Sequence, residues 1–223
     1  MQFSVIKILV VVYTFASIIL SNEESGKDDD IKQLWHECSL EELISFDVFN
    51  IAIKGLRQIE DLKNKNIITI IDYSKPSTVK RFYVVDIFAK KLYFNCYVAH
   101  GRNSGDNYAN SFSNEQKSMK SSLGFYKTAE TYSGKNGYSM KLDGLEKGIN
   151  DSARKREIVI HGAEYVSEQF IQDNGRLGRS WGCPALPVEI VKDIIDKISN
   201  GSCLFIYGVD DYYKENSAFI KFI

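Results

Sequence analysis

Apolar residues between positions 40 and 59 recur at the spacing of an amphipathic helix. The recurring positions are Leu40, Leu43, Ile44, Val48, Ile51, Leu56 and Ile59. A period of three to four residues places them on one face, as in a helix that packs on a core. Ser39 precedes the run and Glu42 follows three residues later, which is the pattern of a capping box. The pattern predicts a helix from Ser39 to about Leu62, with Gly55 as its weak point.

From Ile67 onward the pattern changes to short apolar runs separated by polar turns, which is typical of β-strands. The predicted strands cover residues 67–73, 81–87, 91–99, 124–129, 139–142, 156–161 and 202–207. The first of these runs is apolar enough to be buried on both faces, and residues 88–90 connect the next two as a hairpin. Residues 100–122 form a long polar loop, and loops of this length usually carry function or move.

A second helix and the balance of elements indicate the fold class. Pro187 is placed to begin a helix, because its missing N–H costs little in a first turn, and Gly201 is placed to end it. One helix, many strands, one helix and a last strand leave few alternations of strand and helix. The pattern therefore predicts a mainly β (α+β) domain with flanking helices, rather than a doubly wound sheet.

The N-terminus has the pattern of an export leader. Lys7 precedes an apolar run from Ile8 to Leu20, and a polar, charged segment follows. A basic residue before an apolar run of this length is typical of a secretory signal peptide, and the run is short for a membrane-spanning helix. The expected organisation is a signal peptide or N-terminal anchor (1–21), a polar linker (22–37) and one folded domain (38–223).

Composition narrows the classes of function. A chain of 223 residues suits one domain with a full core, and its net charge of −1 gives no reason to expect nucleic-acid binding. The four cysteines are Cys38, Cys96, Cys183 and Cys203. In an exported chain, Cys96 and Cys203 could form a disulfide or remain buried thiols. No close spacing of cysteine and histidine predicts a zinc site, and neither a metal nor another cofactor is expected.

The segment Gly178–Leu186 carries the strongest chemical signal. It places Cys183 between Gly182 and Pro184, and His161, at the end of a predicted strand, precedes it by 22 positions. An imidazole beside a thiol lowers the thiol pKa and activates it to attack carbonyl carbon. The N–H groups of Gly182 and Cys183 are the expected oxyanion donors, because Pro184 has none. The pattern therefore indicates a cysteine enzyme acting on acyl bonds.

His161 needs a partner for its second ring nitrogen, and no acid or amide within the motif is an obvious candidate. The carbonyl of Gly162 would suffice to fix the tautomer. The spacing alone also allows a plainer interpretation, with Cys183 as an ordinary buried thiol and His161 as a core histidine. His100, which also precedes a glycine at the end of a predicted strand, is a rival base, whereas His36 lies before the expected core.

Several ordered motifs resemble those of the YkuD-like L,D-transpeptidase catalytic domain, in particular its murein L,D-transpeptidase branch. The matching elements are His161-Gly162-Ala163, Gly178 to Leu186 with Ser180-Trp181-Gly182-Cys183-Pro184-Ala185, Val98 to Gly105, Phe112-Ser113-Asn114, Ser121 to Gly124, and Asn150-Asp151. They cover most of residues 40–213. The resemblance implies a mainly β domain and a cysteine acyl-transferase acting on peptidoglycan stem peptides.

The resemblance also implies roles for individual residues. Cys183 would attack the L,D-peptide bond after meso-diaminopimelate, release D-alanine and hold the acyl group as a thioester. An amine acceptor, or water, would then resolve that thioester. His161 would serve as the base and then as the acid for the leaving amine, and Ser180 would shape the turn.

The chain departs from the main family at two places. Trp181 stands where many members carry a second histidine, and Pro184-Ala185 replaces an apolar residue and an arginine. Arg176 and Arg179 are candidates to bind the substrate carboxylate instead, since a guanidinium can bind a carboxylate through two hydrogen bonds; each could also be a solvated loop arginine. Further candidates for the substrate cleft are Ser180, Trp181, Arg102 and Asn103, the last two of which could instead fold the loop together with Ser113 and Asn114.

Three functions follow from these observations. The first is an L,D-transpeptidase, the second an L,D-carboxypeptidase or endopeptidase that gives the acyl group to water, and the third a non-catalytic wall-binding module. The intact Ser180-Trp181-Gly182-Cys183 motif and His161 argue against the third. The expected partners are peptidoglycan stem peptides rather than nucleic acid, and an uncleaved leader would add peripheral membrane association. The expected location is the periplasm or cell envelope.

Overall fold

The computed structural model describes residues 28–221, so the expected leader at 1–21 and residues 22–27 of the expected linker lie outside the described residues. Helix α1 covers residues 28–37, and the other helices are α2 (Phe46–Gln58), α3 (Glu168–Asn174), α4 (Val191–Ile198) and α5 (Asp211–Asn216). The strands are β1 (Asn64–Asp72), β2 (Phe82–Asp86), β3 (Lys91–Cys96), β4 (Gly124–Gly134), β5 (Gly137–Gly144), β6 (Val159–Gly162), β7 (Ala185–Leu186) and β8 (Ser202–Tyr207).

These strands form one mixed sheet in the order β3-β2-β1-β8-β4-β5-β6-β7. Parallel pairing of β1 with β8 places Ile70 opposite Phe205, and both side chains are fully buried. The other parallel pair is β6 with β7 at the end of the sheet, where His161 lies opposite Ala185. The predicted mainly β fold with flanking helices is confirmed, and the sheet brings the histidine strand beside the cysteine segment.

The first predicted helix is wrong in its start. Ser39 adopts a positive φ of 55° and lies in a turn rather than capping a helix. Helix α2 begins later, where the Oγ of Ser45 accepts a hydrogen bond from the Val48 N–H at 3.4 Å. It ends at Gln58, because Ile59 is extended. Two serines precede apolar runs at helical spacing in this region, and the structure uses the second one as the cap.

The predicted linker at 22–37 is wrong for residues 28–37, which form α1. Ile31 on this helix is fully buried in the core, and the Trp35 indole N–H donates to the carbonyl of Ile44 at 2.9 Å. Asp28 pairs with Lys54 of α2 at 2.7 Å. The folded domain therefore begins before residue 38.

The predicted strands are found, with different ends. β3 stops at Cys96, and the strand predicted from Arg156 begins at Val159, because Glu157 has a φ of 58° and lies in a turn. The helix predicted from Pro187 begins at Val191 after a turn. The sequence pattern does not predict α3, α5 or the two-residue β7. Residues 100–122, all of which the structure describes, form no helix and no strand of the sheet, so the predicted long loop is confirmed.

All four cysteines are free thiols. Cys96 on β3 and Cys203 on β8 are separated by two intervening strands, so of the two alternatives for this pair the buried thiols are confirmed. None of the helices formed within residues 28–221 is long and apolar enough to cross a membrane.

Candidate active site

The motif segment lies between two neighbours that fix its path. On one side, the Ala99 N–H donates to the carbonyl of Ala185 at 2.9 Å, and the Ser180 N–H donates to the carbonyl of His100 at 3.0 Å. On the other side, β7 pairs with β6, in which His161 lies. The loop before the motif and the histidine strand therefore hold the cysteine turn from both edges.

A serine closes the turn that carries Cys183. The Oγ of Ser180 accepts a hydrogen bond from the Gly182 N–H at 3.0 Å and donates to the carbonyl of Cys183 at 2.6 Å. Gly182 has a φ of 126°, and a Cβ there would lie 2.7 Å from the carbonyl oxygen of Lys120. The backbone angle and the close approach both require glycine. The prediction that Ser180 shapes the turn is confirmed.

A second serine supports the turn from below. The Oγ of Ser121 donates to the carbonyl of Gly182 at 3.0 Å and accepts from the N–H of Gly101 at 3.0 Å. A Cβ on Gly101 would lie 2.9 Å from the Cα of Gly182. The long loop therefore packs its backbone directly against the cysteine turn, which explains why two glycines meet here.

Cys183 is partly exposed and lies beside the histidine strand. Its Sγ is 3.5 Å from the N–H of Val159 and 3.6 Å from the carbonyl oxygen of Glu157. Val159 precedes His161 by two residues, about 7 Å of strand. Both Cys183 and His161 are among the described residues, and no hydrogen bond joins their side chains directly. Catalytic hydrogen bonds often tighten only when substrate binds.

The environment of the thiol holds it in the neutral form. Burial raises the pKa of Cys183, while the N–H of Val159 and the charge of Arg156 act in the opposite direction. A buried thiol loses hydration of its charged form, and donors and cations return part of that stabilisation. The resting nucleophile is therefore a thiol, and one N–H and two cations, Arg156 and Lys135, favour its conversion to thiolate.

His161 is positioned as a neutral base. Its Nδ1 lies 2.9 Å from the carbonyl oxygen of Gly162. A carbonyl only accepts hydrogen bonds, so Nδ1 carries the proton and the lone pair lies on Nε2. Burial lowers the pKa of His161, against the opposing effect of the Gly162 hydrogen bond. The expected Gly162 partner is confirmed, and the neutral ring keeps a basic nitrogen for the reaction.

His100, the rival base, has a hydrogen-bond partner at each of its ring nitrogens. Arg81 donates from Nη2 to Nδ1 of His100 at 2.8 Å, which leaves Nε2 protonated and donating to the carbonyl of Gly105 at 3.3 Å. Burial, and then the Arg81 charge, lower the pKa of His100 to about 4. His100 is therefore a neutral structural group. His36 is exposed on α1, where its Nδ1 lies 2.7 Å from Glu41.

One of the two expected oxyanion donors is already used. The Gly182 N–H donates to Ser180, so its prediction as an oxyanion donor does not fit this turn. Cys183 differs, because its N–H meets no acceptor among the described residues. A backbone N–H without a protein partner beside a nucleophile is a suitable donor to a developing oxyanion. Gly182 instead serves the turn.

The two candidate arginines after the histidine strand are engaged by one acid. Arg179 pairs with Asp106 at 2.6 Å and also donates to the carbonyl of Gly105 at 3.1 Å. Arg176 donates to the carbonyl of Leu177 at 2.7 Å and lies 3.9 Å from Asp106. Both guanidiniums hold the loop, which weakens the prediction that either one is poised to bind a substrate carboxylate.

A cleft of about 590 Å³ opens beside this ion pair. Arg102 and Asn103 line it, together with Asp106, Tyr108 and Arg179. The backbone N–H of Arg102 donates to the carbonyl of Ser180 at 2.8 Å, which connects the cleft to the cysteine turn. Asn103 also folds the loop, since its side-chain amide donates to the carbonyl of Ser118 at 2.9 Å.

A family model described as the L,D-transpeptidase catalytic domain matches residues 40–207. The chain belongs to this family. The matched residues include all eight strands of the sheet, His161 and the cysteine turn. No curated protein matches the chain.

Several solved structures, among them two L,D-transpeptidases, are similar to this chain at low identity. One from Mycobacterium smegmatis is 12% identical, with 64% of this chain and 59% of that chain covered and a TM-score of 0.39. L,D-transpeptidase 3 from Mycobacterium tuberculosis is 11% identical, with 64% and 61% covered and a TM-score of 0.39. The helical cell shape determining protein Pgp2 from Campylobacter jejuni is 14% identical, with 73% and 56% covered and a TM-score of 0.42. The chain spans less than two thirds of the length of each.

The L,D-transpeptidase domain also contains a partly buried cation, Arg156, that the motif does not predict. Arg156 donates to the carbonyls of Ser113 at 2.6 Å and Lys120 at 2.5 Å, and to the hydroxyls of Ser122 at 3.2 Å and Ser118 at 3.3 Å. It thereby holds together residues 113–122, the second half of the loop that supports the cysteine turn. Arg156 precedes β6, whereas the sequence directs attention to arginines beside the cysteine.

Proposed function

We propose that this protein is an exported cysteine acyl-transferase that acts on peptidoglycan stem peptides through a thioester on Cys183. The observation that carries the proposal is the joint placement of Cys183 and His161. The serine-closed turn presents the thiol beside β6, and the Gly162 carbonyl leaves the basic nitrogen of His161 available. Membership of the L,D-transpeptidase family supports the substrate class.

The pKa shifts indicate how the first step proceeds. Both partners are neutral at rest, because burial raises the pKa of the thiol and lowers that of the imidazole. Nε2 of His161 takes the thiol proton while Sγ forms a bond to the scissile carbonyl carbon. The carbonyl oxygen becomes an oxyanion, which the Cys183 N–H stabilises.

The remaining steps return His161 and Cys183 to their resting protonation states. When the C–N bond breaks, His161 gives its proton to the departing amine, which for a tetrapeptide donor is D-alanine. The acyl group remains on Sγ as a thioester. An amine acceptor, or water, then attacks the thioester carbon and gives a proton to His161, and Sγ leaves as thiolate and recovers that proton. Both steps balance with the donor peptide and the acceptor alone.

Digestion of purified sacculi tests the proposal and identifies the acceptor. New cross-links between diaminopimelate residues, detected by mass spectrometry of the muropeptides, are the expected result of transfer. Shortened stems alone would assign the protein as a hydrolase of the same bond. Unchanged muropeptides after incubation with the folded wild-type protein would contradict both.

Variants of two cysteines complete the test. We expect Cys183→Ala to abolish turnover and to keep the thermal unfolding midpoint of the wild type, because the thiol is partly exposed. Cys38→Ala is the matched control, since it removes the same atoms from a buried thiol at the end of α1. It should lower stability and retain activity. Turnover by Cys183→Ala would overturn the assignment.

We further propose that the leader directs export to the periplasm or cell envelope. Fractionation of cells producing the full chain, followed by intact-mass measurement, tests this. A protein shortened by about 21 residues in the exported fraction supports a cleaved signal peptide. A full-length protein in the membrane fraction indicates an anchor, and a full-length cytosolic protein contradicts export.

A further inference from the structure

An aromatic side chain stands uncovered next to the nucleophile. Trp181 lies two residues before Cys183 in the serine-closed turn, and 69% of its surface is exposed. An exposed indole offers a large aromatic face to a neighbouring cation or a ligand.

A lysine from a distant strand pair reaches the same place. The ammonium of Lys135 lies 5.7 Å from the centre of the Trp181 ring. Lys135 occupies the exposed tip of the β4–β5 hairpin, where Gly134 pairs with Gly137. This distance is within the range of a cation–π contact, which orients an ammonium over the indole face. The hairpin tip therefore approaches the cysteine turn at Trp181.

The charge of Lys135 affects the pKa of Cys183. It acts to lower the pKa of Cys183, opposing the effect of burial, while the charge of Glu157 acts to raise it. Arg156 has a larger effect in the same direction as Lys135, but its guanidinium is engaged by four groups of the loop. Lys135 is thus the exposed cation among the three charged groups that act most strongly on the thiol.

Lys135 also differs from its neighbours in having no acidic partner. Lys127 and Lys141 on the same hairpin pair with Asp61 and Glu130. Across residues 28–221, Lys135 makes no ion pair with a carboxylate. Arg176 and Arg179, the other candidate carboxylate ligands, are engaged by Asp106. The ammonium over Trp181 is therefore available to a ligand.

We propose that Lys135 and Trp181 form a carboxylate-binding subsite at the entrance to Cys183, which takes the terminal carboxylate of the donor peptide. The inference rests on the proposed function, because it assigns the partner of that same site. The indole face orients the ammonium, and the ammonium pairs with the carboxylate one residue beyond the scissile bond. This subsite performs the recognition for which the chain lacks an arginine after the cysteine.

Two alkylating reagents of similar size, one anionic and one neutral, test the subsite without requiring turnover. Iodoacetate is an anion and iodoacetamide is neutral, and both form a thioether with Sγ and release iodide. The ratio of their rates at Cys183, measured by peptide mapping, reports local attraction of a carboxylate. We expect Lys135→Gln to lower that ratio about two- to fivefold, the size of an exposed charge pair. Salt of about 1 M should lower the wild-type ratio by a similar factor, because it screens exposed charges.

Three further variants separate the subsite from general effects. Trp181→Ala should lower the ratio as Lys135→Gln does, while Trp181→Phe keeps a ring face and should retain most of it. Lys32→Gln on α1 removes the same charge from an exposed lysine on another element, and should leave the ratio unchanged. An equal ratio in wild type and Lys135→Gln would overturn the subsite and leave the nucleophile intact. Failure of both reagents to alkylate Cys183 would overturn the proposed function, and the subsite with it.

A substrate pair then identifies the carboxylate. Lys135→Gln should raise the KM for a stem tetrapeptide with a free C-terminus about two- to fivefold and leave the KM for its C-terminal amide unchanged. An equal rise for the acid and the amide would contradict recognition of the terminal carboxylate.

Discussion

Substitutions of Arg156 can separate its effect on the stability of the domain from its effect on the pKa of Cys183. The guanidinium donates to the carbonyls of Ser113 and Lys120 and to the hydroxyls of two more serines. Its charge also favours the thiolate of Cys183. Replacing it with glutamine removes the charge and most of the hydrogen bonds. Replacing it with lysine keeps the charge and loses the planar fork.

The magnitude follows from the hydrogen bonds. A hydrogen bond to a charged group contributes about 1.5–3 kcal/mol, and here two short bonds to carbonyls dominate. The site is only partly buried and the contributions are not additive, so the expected loss for Arg156→Gln is roughly 2–4 kcal/mol. For a domain of this size that corresponds to a fall of roughly 5–15 °C in the unfolding midpoint.

Two measurements on each variant provide the test. Calorimetry gives the unfolding midpoint, and the pH profile of Cys183 alkylation by iodoacetamide gives the thiol pKa. Both variants should lose stability, and Arg156→Gln should also raise the thiol pKa, because a cation that favours the thiolate is gone. Arg156→Lys should keep the thiol pKa close to that of the wild type.

A neighbouring arginine provides the control. Arg154 pairs with Glu130 and Asp143 on an exposed surface, so Arg154→Gln should cost about 1 kcal/mol or less and leave the thiol pKa unchanged. If Arg154→Gln shifted the thiol pKa as much as Arg156→Gln, the charge of Arg156 would have no special role. An unchanged midpoint in Arg156→Gln would refute its function in holding the loop.

Three other predictions concern the two histidines and the turn. Burial lowers the pKa of His161, so the neutral base persists into acid and the acid limb of kcat/KM should lie below pH 6.5; a limb at or above that pH would contradict the assignment. The pKa of His100 falls from 6.5 to about 4 on folding, so the unfolded chain binds its proton first as pH falls. Urea titrations should show that protonation of His100 lowers the free energy of unfolding by about 3 kcal/mol between pH 6.5 and pH 4. This fall should be absent in His100→Gln, and an equal pH dependence in wild type and variant would refute the prediction. Ser180→Ala removes both hydrogen bonds that close the turn and should lower kcat at least about tenfold, whereas Ser167→Ala at the cap of α3 should cost only about 1 kcal/mol of stability and no activity; unchanged kcat in Ser180→Ala would show that the turn needs no closure.

The strands could be predicted from the sequence because each is a compact apolar run between turn residues. The helices at the start of the domain could not be placed as well. Ile31, Leu34, Trp35 and Cys38 have helical spacing, but the charged residues around them give the segment the composition of a linker. The burial of Ile31 and the hydrogen bond from Trp35 to Ile44 show that the segment belongs to the domain. The start of α2 depended on a choice between two serines that tertiary contacts decide.

The site was predictable where its chemistry is local in the sequence. Cys183, Ser180 and Gly182 share one turn, and Gly162 follows His161 directly. The choice between His161 and His100 was not local, because Arg81 from β1–β2 engages one nitrogen of His100. The role of Arg156 and the approach of Lys135 to Trp181 also depend on long-range contacts. No spacing in the chain reports those contacts.

The central claim is that Cys183 forms a thioester with the donor peptide. Rapid mixing of the protein with a stem tetrapeptide, acid quenching and peptide mapping by mass spectrometry test it directly. The expected result is an acyl adduct of the tripeptide on the fragment containing Cys183, with release of D-alanine and no adduct in Cys183→Ala. Turnover of the tetrapeptide by Cys183→Ala, or an adduct on another residue, would contradict the account.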